Sequence, residues 1–197
     1  FEAGQYLFGD EVGGDYLDLM MEDQYNAELD FYSSTGDDVI YGGNDGAGDQ
    51  QLLVGGYGND KLISGADLTV SALNIYGDNI EWSTAPSDGT WDKNTGLEND
   101  GDDIIDIQDG TALAAANVWG QGGNDKILGG LITTDGVQKL HGGDGDDKIW
   151  SLNPGQSAPS DWAQVNTSAG QDGDDIIYGF NGAETIYGDF LDADMKS

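Results

Sequence analysis

The feature that most constrains this chain is residues 142–150, GGDGDDKIW, in which a glycine-rich turn runs into a short strand. Glycines let the backbone adopt positive φ and turn sharply, which exposes carbonyl oxygens on the concave side of the turn. Asp147 adds the charged oxygen that a hard cation needs. The last three residues alternate outward, inward and outward, the period of a strand with one buried face. We number these residues as positions 1 to 9, so that Asp147 is at position 6 and Ile149 at position 8.

The inward residue of position 8 recurs along the whole chain at two alternating steps. The best inward positions are Ile40, Leu53, Leu62, Ile75, Ile105, Val118, Ile127, Leu140, Ile149, Ile177 and Ile186. Steps of 9 and 13 residues alternate, so one coil takes 22 residues, as between Ile127 and Ile149. A step of 30 is interpreted as 9 with 21 residues inserted, and a step of 28 as 13 with 15 inserted. The pattern predicts a two-sided solenoid of parallel strands around a narrow apolar core.

The alternation assigns the inward residues to two sheets. Sheet A is predicted to stack Ile40, Leu62, Ile105, Ile127, Ile149 and Ile186. Sheet B is predicted to stack Leu53, Ile75, Val118, Leu140 and Ile177. Every nine-residue step leads from sheet B to sheet A. The glycine-rich turns therefore lie on one edge of the solenoid, the tight edge, and the longer turns lie on the other, the loose edge.

The 197 residues are expected to form a single domain, 1–197, because one core can serve a chain of that length. The predicted fold is an all-β parallel β-roll of about seven two-stranded coils. Residues 1–31 are assigned to the first coils through Leu7, Leu17 and Phe31, in sheets B, A and B, although Leu19 and Leu29 compete for these roles. The segments 79–100 and 152–170 are rich in small polar residues and are interpreted as loop insertions. Residues 166–168, Asn-Thr-Ser, form a glycosylation sequon.

The negative charge of the chain indicates that cations bind to it. The formal net charge is -32, with 38 acidic residues against 6 basic ones. Such a chain repels itself and is not expected to stay compact unless cations neutralise it. No basic patch exists to neutralise phosphates, which excludes nucleic acid and anionic membranes as direct partners. No apolar run approaches the length of a membrane span, and the chain has no cysteine for disulfides.

Acidic residues at position 6 recur once per coil on the tight edge. They are Asp38, Asp60, Asp103, Asp125 and Asp147, with Glu184 as the last and Asp15 as a candidate first. Stacked strands bring such like charges within about 5 Å, which is unfavourable unless cations lie between them. On the loose edge, residues 170–175 restore a full motif that ends at Asp175. Together with Asp45, Asp67 and Asp109, Asp175 leaves open a second, shorter ladder on that edge. An ordinary turn explains any single Asp-Gly pair, but the fixed period favours a ligand.

This nonapeptide resembles the RTX family, whose calcium-binding repeats form parallel β-rolls. The resemblance implies calcium ions held between successive turns by position-6 carboxylates and by backbone oxygens of the glycine-rich segment. Carried over to this chain, the implied ligands are Asp38, Asp60, Asp103, Asp125 and Asp147, with the carbonyls of Gly55, Tyr57, Gly120, Gly122, Gly142 and Asp144. The chain departs from the family pattern at Glu184, which replaces Asp, and after Asp78, where an insertion splits the turn.

Two functions remain open at this stage. One is an extracellular or cell-surface calcium-binding solenoid with a structural or adhesive role, since turn sites of this kind need the high calcium found outside cells. The alternative is an accessory module that resembles the RTX part of a larger type I secreted enzyme, toxin or adhesin. No catalytic motif is recognisable, so the chain is not interpreted as an enzyme. A stand-alone carbohydrate-processing enzyme, with a glycosidase-like carboxylate pair among the many acidic residues, is a third and less favoured function.

The surface and the ends of the solenoid predict further partners. Outward aromatic rows at position 9, which include His141, are interpreted as strand cover or as a contact face for neighbouring copies or for sugar. The two ends look alike and open. This predicts self-association, either head-to-tail into filaments or laterally.

Overall fold

The computed structural model describes residues 5–8, 36–42, 50–65, 72–78, 100–107, 115–131, 136–157 and 165–189. Within these ranges the chain forms strands only, and none of them contains a helix long and apolar enough to cross a membrane. The strands of sheet A are β2 Val39–Tyr41, β4 Lys61–Ile63, β6 Ile104–Asp106, β8 Lys126–Leu128, β10 Lys148–Trp150 and β12 Ile176–Tyr178. The strands of sheet B are β1 Gln5–Phe8, β3 Gln50–Val54, β5 Ala72–Tyr76, β7 Ala115–Gly122, β9 Val137–Asp144, β11 Val165–Asp172 and β13 Ala183–Tyr187.

The chain alternates between the two sheets, so that successive coils add strands to each sheet in turn. Among the described residues, sheet A has six strands in the order β12-β10-β8-β6-β4-β2, and sheet B has seven in the order β1-β3-β5-β7-β9-β11-β13. Every described strand pair is parallel, and equivalent positions of successive coils are in register, as in the pairing of Ile127 with Ile149. The prediction of an all-β parallel β-roll is confirmed.

The main core is a column of aliphatic side chains contributed by both sheets, and Leu52, Val54 and Tyr76 form a second, smaller cluster on sheet B. Leu62, Ile105 and Ile127 from sheet A are completely buried, and so are Ile75 and Leu140 from sheet B. All of them belong to one hydrophobic cluster. Burial of each such side chain contributes roughly 1.5–3 kcal/mol. Because each coil adds only a few of these residues, the core holds the two sheets together but does not neutralise the charge at the turns.

One strand of sheet B was not predicted, and it corrects the assignment of the last coils. β11 places Ser168 in register with Leu140, an inward position that carries a small polar residue. The predicted sheets of Ile177 and Ile186 are therefore wrong: Ile177 lies on sheet A and Ile186 on sheet B. The predicted insertion 152–170 ends before Val165 for the same reason.

The glycosylation sequon at residues 166–168 lies in the polar strand β11. Asn166 is fully buried, and its side-chain amide donates a hydrogen bond to the Ser151 carbonyl oxygen at 2.9 Å. That amide nitrogen faces the interior, so the folded chain does not present it to a glycan.

The first coils also differ from the prediction. β1 pairs directly with β3, with Leu7 opposite Leu53. Phe31, which was predicted to supply the next strand of sheet B, lies outside the described residues. Leu17 and Asp15 lie outside the described residues. The first insertion, predicted at 79–100, also lies outside them, except for Asp100, which belongs to the turn that leads into β6.

Candidate metal centre

The glycine-rich turns stack so closely on the tight edge that position 4 admits only glycine. Gly58, Gly123, Gly145 and Gly173 adopt φ values of 123°, 101°, 136° and 141°, a region that side chains disfavour. A Cβ atom on Gly145 would lie 1.8 Å from the carbonyl oxygen of Gly123 in the preceding coil. The repeated glycine therefore sets the spacing of the turns.

The position-6 aspartates form a continuous ladder along this edge. The backbone N–H of each aspartate donates a hydrogen bond to Oδ1 of the position-6 aspartate in the next coil. The five bonds are Asp38 to Asp60 at 2.7 Å, Asp60 to Asp103 at 2.7 Å, Asp103 to Asp125 at 2.8 Å, Asp125 to Asp147 at 2.8 Å and Asp147 to Asp175 at 2.9 Å. Asp103, Asp125 and Asp147 are no more than 2% exposed. One carboxylate oxygen of each aspartate thus fixes the coil before it.

The second oxygen of these carboxylates has no such role. Oδ2 of Asp103, Asp125, Asp147 and Asp175 is buried and accepts no hydrogen bond from the part of the chain that the structure describes. A buried charged oxygen without a partner is strongly unfavourable. The same orphaned oxygen in successive coils indicates a site for a ligand that supplies positive charge.

Without such a ligand the ladder aspartates resist ionisation. Burial, with the charge of neighbouring carboxylates adding to it, raises the pKa of Asp103 to about 10 and that of Asp125 to about 9. Burial also raises the pKa of Asp147 to about 7. The backbone N–H bonds oppose the rise, because they stabilise the charged form, but they do not outweigh burial. A cation would reverse this balance.

The orphaned oxygens converge with backbone carbonyls over the glycine at position 1. The point where a Cβ atom of Gly120 would lie is 2.0 Å from Asp125 Oδ2 and 2.6 Å from the carbonyl oxygen of Gly142. At Gly142 the same point is 1.9 Å from Asp147 Oδ2 and 2.8 Å from the carbonyl oxygen of Gly170. A carboxylate and a carbonyl from the next coil thus share one cradle, which fits calcium because this ion prefers several oxygen ligands in irregular geometry.

The carboxylates alone do not complete a coordination shell. In the described ranges, no three acidic, histidine or cysteine side chains are grouped so that they could hold a metal ion. Calcium takes 6–8 oxygen ligands, so backbone carbonyls and water would have to supply most of them.

A methyl group in this cradle is expected to remove the site. In Gly142→Ala the new Cβ atom would collide with Asp147 Oδ2, so we expect calcium affinity to fall by about tenfold or more at the neighbouring ions. Gly188→Ala is the matched control, since it occupies position 1 of the last turn and a Cβ atom there meets nothing within 4 Å. Calorimetric titration of both variants with calcium checks this, and equal affinities would contradict the proposed position of the cradle.

The structure reassigns two of the predicted ligand residues. Asp175 was predicted on the loose edge, but its hydrogen bond from Asp147 makes it the next member of the tight-edge ladder. Glu184, predicted as the last member, lies in β13 beside Asn166, at the loose edge. There it accepts a hydrogen bond from the Phe180 N–H at 3.0 Å and contacts the Ser151 hydroxyl. Both changes follow from the unpredicted strand β11.

The remaining predicted ligands lie on the tight edge, apart from those outside the described residues. Gly55, Gly120 and Gly142 occupy position 1 of their turns, and Tyr57, Gly122 and Asp144 occupy position 3. The Tyr57 carbonyl accepts the Gly36 N–H at 3.1 Å, which ties this turn to the preceding one. Asp15, Asp45, Asp67 and Asp109 lie outside the described residues.

At the loose edge, several buried neutral side chains are hydrogen-bonded to the backbone or to one another. The Gln138 side chain accepts the Gly130 N–H at 3.1 Å and donates to the Ser151 carbonyl at 2.9 Å. The hydroxyls of Ser151 and Ser168 lie 2.9 Å apart, within hydrogen-bonding distance. The Gln138 amide and the two serine hydroxyls are thus hydrogen-bonded, whereas Oδ2 of Asp103, Asp125 and Asp147 on the tight edge has no hydrogen-bond partner within the described ranges.

A second ladder, at position 5, was not predicted from the sequence. Its members are Asp37, Asn59, Asp102, Asn124, Asp146 and Asp174. The N–H of each residue after Asp37 donates to the side-chain oxygen of the position-5 residue in the preceding coil, as from Asn124 to Asp102 at 2.7 Å. This ladder is solvent-exposed, and its two asparagines separate several of the charges. The signal was present in the sequence, since Asp or Asn precedes every ladder aspartate.

Aromatic side chains stack along the outer faces of the sheets. Tyr76 and Trp119 have ring centroids 4.7 Å apart, and His141 continues the row 5.8 Å from Trp119. On sheet A the rings of Trp150 and Tyr178 stack at 4.9 Å. The rings face one another along the solenoid axis, so His141 belongs to a stacked row, as predicted.

Comparison with known proteins agrees with the geometry. Four segments, residues 31–46, 117–131, 132–152 and 164–191, match the RTX calcium-binding nonapeptide repeat. No curated protein and no solved structure matches the chain significantly. The turns at Asp60 and Asp103 lie outside the matched segments, yet they continue the same ladder.

Proposed function

This chain carries the calcium-binding repeats of the RTX family, and from that premise we propose that its tight edge holds a column of calcium ions, one between each pair of successive turns. The observation that carries the proposal is the buried Oδ2 atom, without a hydrogen-bond partner among the described residues, that recurs from Asp103 to Asp175. The ligands would be the ladder aspartates Asp38, Asp60, Asp103, Asp125, Asp147 and Asp175. Carbonyls at positions 1 and 3, such as those of Gly142 and Asp144, would complete the shell. Glu184 is not included, because it lies at the other edge.

Calcium would supply two positive charges between two carboxylates, each of which has one oxygen in a hydrogen bond and the other available to a ligand. Each ion would lie between the carboxylate of one coil and that of the next, so it would turn like-charge repulsion into attraction across the gap. It would thereby hold the turns together, a task that the narrow core does not perform. The calcium column is accordingly structural: it would fix the stacking of the coils.

The role that fits this architecture is an extracellular, structural or adhesive calcium-dependent solenoid. Weak turn sites fill only where calcium is plentiful, which favours the outside of the cell or its surface. The alternative is an accessory module of a larger secreted protein whose activity lies elsewhere. Intact mass of the native polypeptide distinguishes the two, because the second requires a chain much longer than 197 residues.

Self-association remains part of the proposal, but the strand order does not favour head-to-tail stacking. The sequence predicts a first strand on sheet B and a last strand on sheet A, so that a second copy would continue the alternation. The last described strand, β13, instead belongs to sheet B, as β1 does. Among the described strands, a simple stack of two copies would not continue the alternation, because both terminal strands belong to sheet B. A lateral contact through exposed residues of sheet A, such as Tyr41 and Tyr178, fits the described surface better.

Sugar binding is the less favoured partner for the aromatic rows. A sugar ring packs on the face of an aromatic ring, but in the stacked pairs the faces are turned toward each other. Tyr76, at one end of the described sheet B row, is 1% exposed and presents no face to a sugar.

Calcium titration tests the proposed column. The five hydrogen bonds of the ladder define five gaps between turns, so isothermal calorimetry is expected to count about five ions. Magnesium is expected to bind far more weakly, because it demands octahedral geometry and releases its water reluctantly. A stoichiometry of one ion or none, or equal affinity for magnesium, would contradict the column.

A further inference from the structure

The turn between β5 and β6 is interrupted by an insertion, and such an insertion could disrupt the regular ladder of aspartates. Gly77 and Asp78 occupy positions 1 and 2, and Asp100 and Gly101 occupy positions 3 and 4. Residues 79–99 are inserted between position 2 and position 3. In the next coil the same positions are the continuous segment 120–123. The backbone path that elsewhere joins the two halves of the turn is thus broken by 21 residues.

Asp78 bridges this break with its side chain. Its Oδ1 atom accepts the N–H of Gly101 at 3.0 Å, which lies at position 4 of the same turn. Its Oδ2 atom accepts the N–H of Gly122 at 2.9 Å, which lies at position 3 of the following turn. Asp78 is 1% exposed, so both bonds are shielded from water. One carboxylate therefore ties together the two halves of the interrupted turn and the coil stacked on it.

No other described position-2 residue between two strands makes this connection. Gly56, Gln121, Gly143 and Gln171 adopt φ values of 115°, 83°, 127° and 88°, with which the backbone itself continues through the turn. Asp78 is not among the residues with positive φ. The backbone leaves the turn at this residue, and the side chain replaces what the backbone does in the continuous turns.

The interrupted turn still carries the candidate cation site. Oδ2 of Asp103 is buried and without a hydrogen-bond partner within the described ranges, and Asp103 itself is 1% exposed. This oxygen lies 2.0 Å from the point where a Cβ atom of Gly77 would be, and the Gly120 carbonyl oxygen lies 2.5 Å from the same point. The cradle thus has the same parts as those over Gly120 and Gly142, although its own turn is not continuous.

The sequence associates aspartate at position 2 with interruption elsewhere too. Gly9 and Asp10 follow β1, and a long segment separates them from Gly36, Asp37 and Asp38, which lead into β2. Gly188 and Asp189 follow β13, and the sequence does not go on as x-Gly-Asp-Asp in the residues after them. The four continuous turns carry Gly or Gln at this position instead.

We propose that Asp78 is a positioning residue that closes the interrupted turn across residues 79–99 and thereby preserves the cation site between this turn and the next. The inference rests on the proposed calcium column. It adds that a solenoid coil can carry a long insertion without loss of its ion only if a carboxylate at position 2 reconnects the turn.

The test compares Asp78→Gly in two backgrounds. In the full chain, Asp78→Gly removes both hydrogen bonds, so we expect the calcium count to fall by one ion. We also expect amide hydrogen exchange to become at least about tenfold faster at residues 100–107 and 120–128, but not at 142–150. In a chain that also lacks residues 79–99, the same substitution creates the sequence GGDGDD, identical to residues 142–147. In this background we expect the ion and the slow exchange to return, because the backbone closes the turn. Gln171→Gly, at position 2 of a continuous turn, is the control and is expected to change neither.

The outcomes separate this inference from the proposed function. If full-chain Asp78→Gly keeps the wild-type ion count and exchange rates, Asp78 does not close the turn and the inference is wrong. If the ion stays lost in the shortened chain, Asp78 acts through its charge and not through closure, which also overturns it. Failure of the wild-type chain to bind calcium at all would instead overturn the calcium column.

Discussion

Removal of calcium is expected to unfold this protein. Excess chelator at neutral pH and moderate ionic strength should abolish the far-ultraviolet circular dichroism signal of the β-roll, and added calcium should restore it. Five ions that bind only the folded chain, each at 100 times its dissociation constant, contribute about 2.7 kcal/mol apiece, or about 13 kcal/mol together. The whole stability of a typical domain is about 5–15 kcal/mol. The ions therefore account for most of the stability available to this chain.

The charge of the chain works in the same direction. A net charge of -32 opposes compaction, and the buried ladder concentrates part of it where water does not screen it. Magnesium at the same concentration is the control for simple charge screening, and it is expected to restore much less of the signal. A full β signal in the chelated protein would show that the core alone suffices and that the ions are accessory.

Asp125→Asn is expected to have opposite effects with and without calcium. Asparagine keeps an acceptor for the Asp103 N–H, which now bonds to Asp125 at 2.8 Å, but it removes the buried charge. With calcium present, the variant should lose affinity by about tenfold or more, because ligand charge sets the strength of such sites. Without calcium, it should be more stable than the wild type, by on the order of 3 kcal/mol at pH 8.

The pH dependence of this gain follows from the raised pKa. Burial raises the pKa of Asp125 in the calcium-free fold to about 9, from an ordinary value of 3.8. The folded chain then binds more protons than the unfolded chain, so calcium-free stability falls as pH rises through the interval from about 4 to about 9. Below about pH 4 the carboxyl is protonated in both states, and the advantage of asparagine should vanish. Folding forced by trimethylamine N-oxide in the presence of chelator, followed by circular dichroism at pH 4 and pH 8, measures both limits.

Asp146→Asn is the matched control for this experiment. Asp146 is the neighbour of Asp147 in the position-5 ladder, is exposed, and accepts the Asp174 N–H at 2.9 Å. The substitution makes the same change of charge at the surface, where water already stabilises the carboxylate. It should leave calcium affinity and calcium-free stability within about twofold and about 0.5 kcal/mol of the wild type. An equal response of Asp125→Asn and Asp146→Asn would argue against ion ligation by the buried ladder.

The repeat itself was predictable because the same residue types recur at fixed spacing along the chain. A coil of 22 residues places position 8 of each nonapeptide on one column, as the pairing of Ile105, Ile127 and Ile149 shows. In-register parallel stacking converts a period in sequence directly into a column in space. For the same reason the spacing of the position-6 aspartates from Asp60 to Asp147 is sufficient to place them on one edge.

Only the tertiary structure decided what happens where the apolar signal stops. Ser168 occupies an inward position of β11, and no pattern of hydrophobic residues marks that strand. It can be buried because the Ser151 hydroxyl from the opposite side of the coil lies 2.9 Å away and satisfies it. The sheets of Ile177 and Ile186, and the edges of Asp175 and Glu184, all depend on that strand. Likewise, the sequence gives no sign that Asp78 differs from an ordinary turn residue. Only the folded structure shows that its carboxylate accepts the N–H groups of Gly101 and Gly122. A periodic pattern of apolar residues predicts which of them are buried, because an apolar side chain needs no specific partner. A buried polar group is stable only with a hydrogen-bond partner. Partners that are distant in sequence become known only from the folded structure.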